Sequence, residues 1–320
     1  MGDIRKIVIL SNTGESFPIE EERLLKEEKT ELVITKFGDI QSIQDLCRKA
    51  YVVAFSDAKI SKEVIDSLEK CHLIIRYGIG FDNIDLEAAK RRGIAVCNAP
   101  AYGVIDVAEH TIALLLSVSR QTVAYNSRLR GDNWSVAMDN PTFRLNRKVL
   151  GLIGFGRIAR NVALAAKALG MEVVTYDPYL DPSFIGQFGV EALSLEELYH
   201  RSHCISLHLP LSDATRNIID RRALKEMQEG VVIINTSRGG LINLDHLVES
   251  LEEGQVGGAG LDVLPSEPLP MDHPIYQYKN VVLTPHIAWY SQESIVALHH
   301  EVCDDIVRVL RGEEPINRIA

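Results

Sequence analysis

The sequence predicts an α/β protein with two doubly wound parallel sheets. Short runs of β-branched and aliphatic residues alternate with helical patterns along nearly the whole chain. The runs are apolar at consecutive positions, as in strands that helices cover on both faces. The alternation is interrupted near Pro100 and starts again at Val149. A length of 320 residues is enough for about two domains at about 150 residues each.

The first α/β series occupies residues 1–98. Its last helix should end at Gly93, because glycine commonly stops a helix. An alternation of strands and helices of this kind places parallel strands between two helical layers. The predicted strands are residues 4–10, 32–35, 51–55, 73–76 and 94–97, and the predicted helices are 40–49, 62–70 and 86–92.

A long apolar helix, predicted from about 104 to 130, separates this series from the second one. Within the second series, Ser194 and Glu197 have the spacing of a capping box at a helix start. The predicted strands are residues 149–153, 173–176, 205–209, 231–235, 260–263 and 281–284, and the predicted helices are 158–169, 195–200, 244–253 and 292–310.

Composition and charge argue against several kinds of protein. A net charge of −10 does not suit binding to nucleic-acid phosphates, which requires a basic face. No apolar run approaches the roughly 20 residues that span a bilayer, and the N-terminus lacks the cleavage region of a signal peptide. The five cysteines are scattered without a CxxC pair, so we expect reduced core residues. The sequence therefore predicts a cytoplasmic protein with no nucleic-acid, membrane or metal partner.

A glycine loop follows the strand at 149–153. It reads Gly154-x-Gly156-x-x-Ala159 and leads into a helix, and Asp177 ends the next strand 21 residues after Gly156. This is the arrangement of the Rossmann dinucleotide-binding unit, in which the loop approaches a pyrophosphate and the acid binds the ribose. Because Asp177 would repel a 2′-phosphate, we expect NAD as the cofactor. The alternative is a tight strand–helix turn with no ligand.

Three side chains stand at or just after the ends of predicted strands. Arg238 can hold a carboxylate at two points, and His286 can exchange a proton near neutral pH. Glu267 lies 19 residues before His286 and could orient the imidazole and favour its protonated form. Together with a nicotinamide cofactor, these groups are what reversible oxidation of a 2-hydroxy acid requires. A structural arginine and a core histidine remain the alternatives. The other histidines, including His110 and His299, are not accompanied in the sequence by such a glutamate and arginine.

The chain resembles the D-isomer specific 2-hydroxyacid dehydrogenases. That family includes phosphoglycerate dehydrogenases, glyoxylate and hydroxypyruvate reductases, and the C-terminal-binding-protein corepressors. The resemblance covers essentially the whole chain. It is carried by RYGIGFDNID from Arg76, VAEHT from Val107, the glycine loop, HLPL from His208, NTSRGG from Asn235, GAGLDV from Gly258 and TPH from Thr284.

The resemblance implies roles for the matching residues. Arg238 would bind the substrate carboxylate, Glu267 would be the partner of the histidine, and His286 would be the acid/base. The loop at 77–80 would meet the substrate carboxylate through backbone N–H groups, for which bare glycine backbone is suited; a simple strand-end turn is the alternative. This gives Tyr77, Gly78, Ile79 and Gly80 as substrate contacts, and Gly154, Gly156, Arg157, Ile158, Asp177, Thr236, Ser237, Asp262 and Thr111 as cofactor contacts.

The resemblance also implies the domain organisation. A flavodoxin-like substrate-binding domain would comprise residues 1–98 and 289–320, and a Rossmann NAD-binding domain would comprise 99–288. The family's homodimer is built around the helix near 104–130. Independently, this helix is too apolar to lie in water, so it must be buried against something.

The chain departs from many family members after His286, where Trp289 follows in place of small residues. This stretch is most similar to the corepressor branch, and Tyr77, Tyr102 and Trp289 are expected to line the pocket; core packing is the alternative for Trp289. We therefore predict an NAD-dependent reductase of a small 2-oxo acid. The open choices are a phosphoglycerate dehydrogenase, a glyoxylate or hydroxypyruvate reductase, and an NAD-gated protein-interaction module of the corepressor type.

Overall fold

The computed structural model describes residues 4–15, 17–131, 134–135 and 142–320. It divides into two compact units. The first comprises Met1–Gly103 and Ser291–Ala320, and the second comprises Val104–Tyr290. The domain boundaries expected from the sequence fall after residues 98 and 288.

The first unit contains a five-stranded parallel sheet with the strand order β2-β1-β3-β4-β5. This is the flavodoxin-like order, which confirms the predicted fold class. Its central strand β3 and the neighbouring β4 are buried on both faces apart from Arg76 at the end of β4. The strands are β1 (Arg5–Ser11), β2 (Thr30–Lys36), β3 (Val52–Phe55), β4 (Leu73–Arg76) and β5 (Ala95–Cys97). The helices are α1 (Pro18–Leu24), α2 (Ile40–Cys47), α3 (Lys62–Ser67), α4 (Leu86–Arg91) and, from the end of the chain, α12 (Gln292–Leu310).

Helix α1 was not predicted, because it is short and mostly charged, with few apolar residues to show a helical period. Proline at its first position supports the helix start, since that N–H would be unbonded there anyway. Glu20 at the third position accepts a hydrogen bond from the backbone N–H of Phe17, which satisfies a donor at the helix entrance.

The second unit contains a seven-stranded parallel sheet with the order β12-β11-β10-β9-β6-β7-β8. The strand order reverses between β6 and β9, the switch point at which doubly wound sheets bind ligands. The strands are β6 (Val149–Ile153), β7 (Glu172–Tyr176), β8 (Glu191–Ala192), β9 (Cys204–Leu207), β10 (Val231–Asn235), β11 (Val256–Leu261) and β12 (Val281–Leu283). The helices are α5 (Val104–Arg120), α6 (Thr122–Arg130), α7 (Arg157–Ala168), α8 (Pro182–Gly186), α9 (Leu195–Arg201), α10 (Arg221–Glu226) and α11 (Leu244–Glu252).

Helix α5 packs closely on β11 because that strand carries glycines where the helix crosses. A Cβ atom at Gly258 would lie 2.7 Å from a methyl of Val118, and one at Gly260 would lie 2.9 Å from Cβ of Leu114. Most apolar residues of the helix therefore find partners inside their own unit, although Ile105 stays exposed. Their burial does not by itself require a second chain, and the homodimer stays a prediction.

The prediction of one continuous helix from about 104 to 130 is wrong. Helix α5 ends at Arg120, and α6 begins at Thr122. Between them, Gln121 is buried and has a left-handed backbone with φ of 51°. No glycine or proline occurs at this point, so the sequence contained no signal for the break.

Candidate active site

The second unit brings the predicted histidine and glutamate into direct contact. His286 follows β12, Glu267 lies in the loop after β11, and His286 Nδ1 is 2.7 Å from Glu267 Oε2. The other carboxylate oxygen accepts a hydrogen bond from the backbone N–H of Leu264 at 3.0 Å. About 40% of each of the two paired side chains is exposed, so the pair is open to solvent and to a ligand.

The surroundings keep the Glu267 carboxylate ionised. Burial acts to raise the pKa of Glu267, but the hydrogen bond with His286 and the Leu264 N–H lower it, as do the charges of His286 and Arg238. The net pKa is below the ordinary value of 4.5. A carboxylate that stays charged beside the imidazole stabilises its protonated, proton-donating form.

The turn that carries His286 is built on the carboxylate of Asp262, which is almost completely buried. Its Oδ1 accepts from the Thr284 hydroxyl at 2.5 Å and from the Ile287 N–H at 2.9 Å, and its Oδ2 accepts from the Ala288 N–H at 2.8 Å. These bonds hold the chain on both sides of His286. The histidine itself has a left-handed backbone with φ of 54°, a conformation that non-glycine residues rarely adopt.

Trp289 also belongs to this turn. Its indole N–H donates to the carbonyl oxygen of His286 at 3.0 Å, and its ring packs edge-on against Tyr290. The indole therefore braces the turn of His286 through its polar atom.

The sequence interpretation missed His110. Its Nε2 lies 3.0 Å from the Thr284 hydroxyl and 3.6 Å from Asp262 Oδ1. It reaches them from α5, more than 150 positions earlier in the chain. Its place in the VAEHT motif, beside Thr111, was the only available signal.

Arg238 is placed at the end of β10 by a polar turn and a close backbone contact. The Asn235 side chain donates to the carbonyl of Arg238 at 2.8 Å and accepts from the N–H of Ser237 at 3.0 Å. The next residue, Gly239, packs against the chain that leads to Glu267, and a Cβ there would lie 2.0 Å from the carbonyl carbon of Leu264. Glycine at 239 therefore allows the arginine segment and the glutamate segment to lie side by side.

The glycine loop lies at the switch point between β6 and β9. Gly154 has φ of 92°, and a Cβ there would lie 2.5 Å from the carbonyl oxygen of His208. At Gly156, by contrast, an added Cβ would meet no protein atom within 4 Å. The protein itself thus leaves space at Gly156, which fits a loop whose backbone a pyrophosphate must approach.

The remaining predicted cofactor residues lie close to this loop or to β10. Arg157 and Ile158 form the first turn of α7, whose N-terminus is suited to a phosphate. Asp177 accepts from the N–H of Phe155 at 2.9 Å and from that of Tyr179 at 3.0 Å, so it also fixes the loop. The hydroxyls of Thr111 and Thr236 are buried and lie 2.8 Å apart, and the Ser237 hydroxyl donates to the carbonyl of Leu207 at 2.6 Å.

His208 is a further buried group beside the glycine loop. Its Nε2 lies 2.9 Å from the Ser206 hydroxyl, and its Nδ1 is buried without a partner among the described residues. Burial lowers the pKa of His208 to about 4, so the ring is neutral at pH 7.

In the first unit, the substrate loop at 77–80 turns its carbonyls toward the protein. The carbonyl of Gly78 accepts from the N–H of Ala99 at 3.1 Å, and the carbonyl of Ile79 accepts from the Asn98 side chain at 2.7 Å. Because C=O and N–H point in opposite directions across a trans peptide, the N–H groups of Ile79 and Gly80 point away from that contact. The loop therefore presents these two donors as a pair suited to an anion.

Two further hydrogen bonds hold this loop inside its own unit. The N–H of Gly78 bonds to the carbonyl of Arg76 at 3.0 Å, so it is not part of the donor pair. The hydroxyl of Tyr77 donates to Glu20 at 2.5 Å. Contact of Gly78 or of the Tyr77 ring with a substrate stays a prediction.

No group of three or more metal-ligating side chains occurs within the described parts of the chain. Nor does any helix in those parts have the length and apolar character needed to cross a membrane. All five cysteines are free, and four of them are buried.

Comparison with known proteins gives consistent results. Residues 112–288, more than half of the chain, match the family model described as "D-isomer specific 2-hydroxyacid dehydrogenase, NAD binding domain". D-3-phosphoglycerate dehydrogenase of Methanocaldococcus jannaschii is 39% identical over 284 residues, which are 88% of this chain and 53% of that protein. The chain thus spans about half the length of the curated relatives it matches.

Solved structures resemble the chain over nearly its full length. A glyoxylate reductase from Paecilomyes thermophila superimposes with a TM-score of 0.91 at 27% identity, covering 100% of this chain and 99% of the other. D-lactate dehydrogenase from Aquifex aeolicus, complexed with NAD and lactic acid, gives 0.86 at 30% identity, with 96% of each chain covered. With two parallel-sheet units and the family's NAD-binding domain, the chain belongs to the D-isomer specific 2-hydroxyacid dehydrogenases.

Proposed function

We propose that this protein is an NAD-dependent D-2-hydroxyacid dehydrogenase that reduces a small 2-oxo acid, and that His286 is its acid/base. The observation that carries the proposal is the contact of 2.7 Å between His286 and Glu267, beside the segment of Arg238. An ionised carboxylate on one imidazole nitrogen leaves the other nitrogen to exchange a proton with a substrate oxygen.

The residues of the site divide the chemistry among them. NADH, when bound, supplies the hydride that reaches the carbonyl carbon. In the second unit, Arg238 holds the substrate carboxylate with its guanidinium. In the first unit, the N–H pair of Ile79 and Gly80 is assigned to binding of a carboxylate. His286 gives its proton to the oxygen that becomes the hydroxyl, and Glu267 stabilises the imidazolium before that transfer. Orientation and this fixed electrostatic environment supply most of the rate enhancement.

The cofactor assignment rests on the glycine loop and on Asp177. The space beside Gly156 and the N-terminus of α7 suit a pyrophosphate. Asp177 stands at the end of β7, where an acid accepts from the ribose hydroxyls and disfavours a 2′-phosphate. Asp262, which builds the His286 turn, is assigned to the nicotinamide end of the cofactor.

The test is NADH oxidation with a panel of 2-oxo acids: glyoxylate, hydroxypyruvate, phosphohydroxypyruvate, pyruvate, 2-oxoglutarate and branched-chain 2-oxo acids. We expect turnover with at least one of them, a D-configured product, and a preference for NADH over NADPH. Arg238→Ala should raise KM for the accepted acid far more than KM for NADH. Absence of turnover with the whole panel would contradict the proposal and favour the protein-interaction module.

A further inference from the structure

A buried acid in the first unit joins three separate segments of the chain. Glu20 on α1 is only 2% exposed. Its Oε1 accepts from the Tyr77 hydroxyl at 2.5 Å and lies 2.8 Å from Nδ1 of His299 on α12. Its Oε2 accepts from the N–H of Phe17 at 3.0 Å. We call Glu20, Tyr77 and His299 the anchor cluster.

Ring packing, in addition to hydrogen bonding, holds the anchor cluster together. The ring of Phe17 stacks on that of His299 at 3.8 Å between centroids, and the ring of Tyr77 lies 5.1 Å from it at a tilt. Burial alone would raise the pKa of Glu20, but the bonds to His299, Tyr77 and Phe17 outweigh it and lower the pKa. The acid is therefore held as an anion by directional contacts.

Such a buried pair is a weak source of stability, because desolvation of two polar groups offsets much of their attraction. What it does supply is a defined geometry, since each hydrogen bond fixes a direction as well as a distance. The atom whose direction is fixed here is the hydroxyl of Tyr77. Tyr77 is the first residue of the substrate loop and is joined directly to Gly78.

The rest of the loop is fastened at other points. Ala99 and the Asn98 side chain hold the carbonyls of Gly78 and Ile79, and the Arg76 guanidinium donates to the carbonyl of Gly80 at 2.6 Å. Tyr77 is the residue of this loop whose side chain enters the anchor cluster. Without its hydroxyl bond, the entry into the loop would be held by backbone bonds alone, from Tyr77 N–H to the Phe55 carbonyl at 2.8 Å and from Gly78 N–H to the Arg76 carbonyl at 3.0 Å. The Ile79 and Gly80 N–H groups would then be less firmly oriented.

We propose that Glu20 and His299 are positioning residues for substrate binding: through Tyr77 they fix the backbone donors that receive the substrate carboxylate. The inference rests on the proposed function of the loop at 77–80. Neither residue touches the substrate, so their effect should appear in binding of the oxo acid and leave cofactor binding unchanged.

The experiment compares Glu20→Gln and Tyr77→Phe with a matched control, Asp305→Asn. Asp305 is also a buried carboxylate of the same unit, and it accepts from the N–H groups of Ile316 and Asn317. Its link to the loop is indirect, through a long bond of 3.4 Å from the Asn98 N–H to the Asn317 carbonyl. Hydrogen exchange of the Ile79 and Gly80 amides is measured without substrate. KM for the accepted oxo acid, KM for NADH, kcat and Tm are measured alongside.

We expect faster exchange of the two loop amides in Glu20→Gln and Tyr77→Phe. KM for the oxo acid should rise about tenfold, the scale of one weakened hydrogen bond to a charged group, with KM for NADH changed less than about twofold. Asp305→Asn should lower Tm and leave the loop amides and KM unchanged. Should Glu20→Gln fail to fold, Tyr77→Phe carries the test, because it removes only the hydroxyl.

The inference is overturned by unchanged loop exchange and KM in Tyr77→Phe, or by an equal rise of KM in Asp305→Asn. Failure of the proposed function is a separate outcome. In that case the unaltered protein turns over no 2-oxo acid, while the exchange measurement still decides whether the anchor cluster holds the loop.

Discussion

Replacement of Glu267 by glutamine removes the charge beside His286 and keeps the size of the side chain. The amide oxygen can still accept from Leu264 N–H, which the carboxylate contacts at 3.0 Å. What is lost is the attraction between a carboxylate and a protonated imidazole at 2.7 Å. This substitution therefore isolates the electrostatic part of the Glu267 contribution.

The solvent exposure of Glu267 and His286 sets how much free energy their attraction contributes. A hydrogen bond to a charged group contributes about 1.5–3 kcal/mol, and the lower part of that range applies because about 40% of each side chain is exposed. A loss of about 1.5 kcal/mol corresponds to roughly a tenfold lower kcat for oxo-acid reduction.

The assay is kcat for oxo-acid reduction at a fixed pH with saturating NADH and oxo acid, with Glu253→Gln on the surface of the same unit as the control. Glu267 stabilises the imidazolium from which the proton is transferred, so kcat should fall roughly tenfold in Glu267→Gln and stay unchanged in Glu253→Gln. A kcat for Glu267→Gln equal to that of the unaltered protein would refute this reasoning.

Three further predictions concern the surroundings of the site. Gly239→Ala should lower the free energy of unfolding by about 1–3 kcal/mol and abolish turnover, because the added carbon overlaps the Leu264 backbone; Gly186→Ala, where nothing lies within 4 Å, should be close to neutral in urea unfolding. Asp177→Ser should raise kcat/KM for NADPH relative to NADH by at least about tenfold, and an unchanged ratio in steady-state assays would remove Asp177 from cofactor choice. Burial lowers the pKa of His208 from 6.5 to about 4, so between these pH values the unfolded chain binds more protons than the folded protein. The stability that the neutral, buried imidazole contributes is therefore fully present above pH 6.5 and is lost as the pH falls towards 4. In urea unfolding, the free energy of unfolding should fall more between pH 7 and pH 5 in the unaltered protein than in His208→Asn. Equal losses would contradict the lowered pKa of His208.

The sequence was informative where residues repeat with a period or stand at strand ends. The strands were predicted to within a few residues, apart from the two-residue β8, because their apolar runs are short and bounded by turn residues. The pairing of Glu267 with His286 was expected because both stand at or just after the ends of predicted strands and because the family resemblance implies it. At such an edge the carboxyl ends of the strands lie side by side.

The sequence could not predict the contacts that join distant segments without a pattern. Glu20 and His299 are 279 residues apart, and His110 reaches Asp262 from a distant helix. The helical period is weak in helices of five to seven residues, so α3, α4 and α9 were predicted but α1, α8 and α10 were not. The break at Gln121 depends on tertiary packing, since the residues around it are compatible with a continuous helix.

The central claim is that His286 donates the proton during reduction of a 2-oxo acid. The most direct measurement is kcat of His286→Ala with the accepted oxo acid at saturating NADH, with NADH binding followed by fluorescence. We predict a fall in kcat of at least about 100-fold, the scale of general acid catalysis, with an unchanged Kd for NADH. A variant that binds NADH normally and turns over at the rate of the unaltered protein would contradict the account.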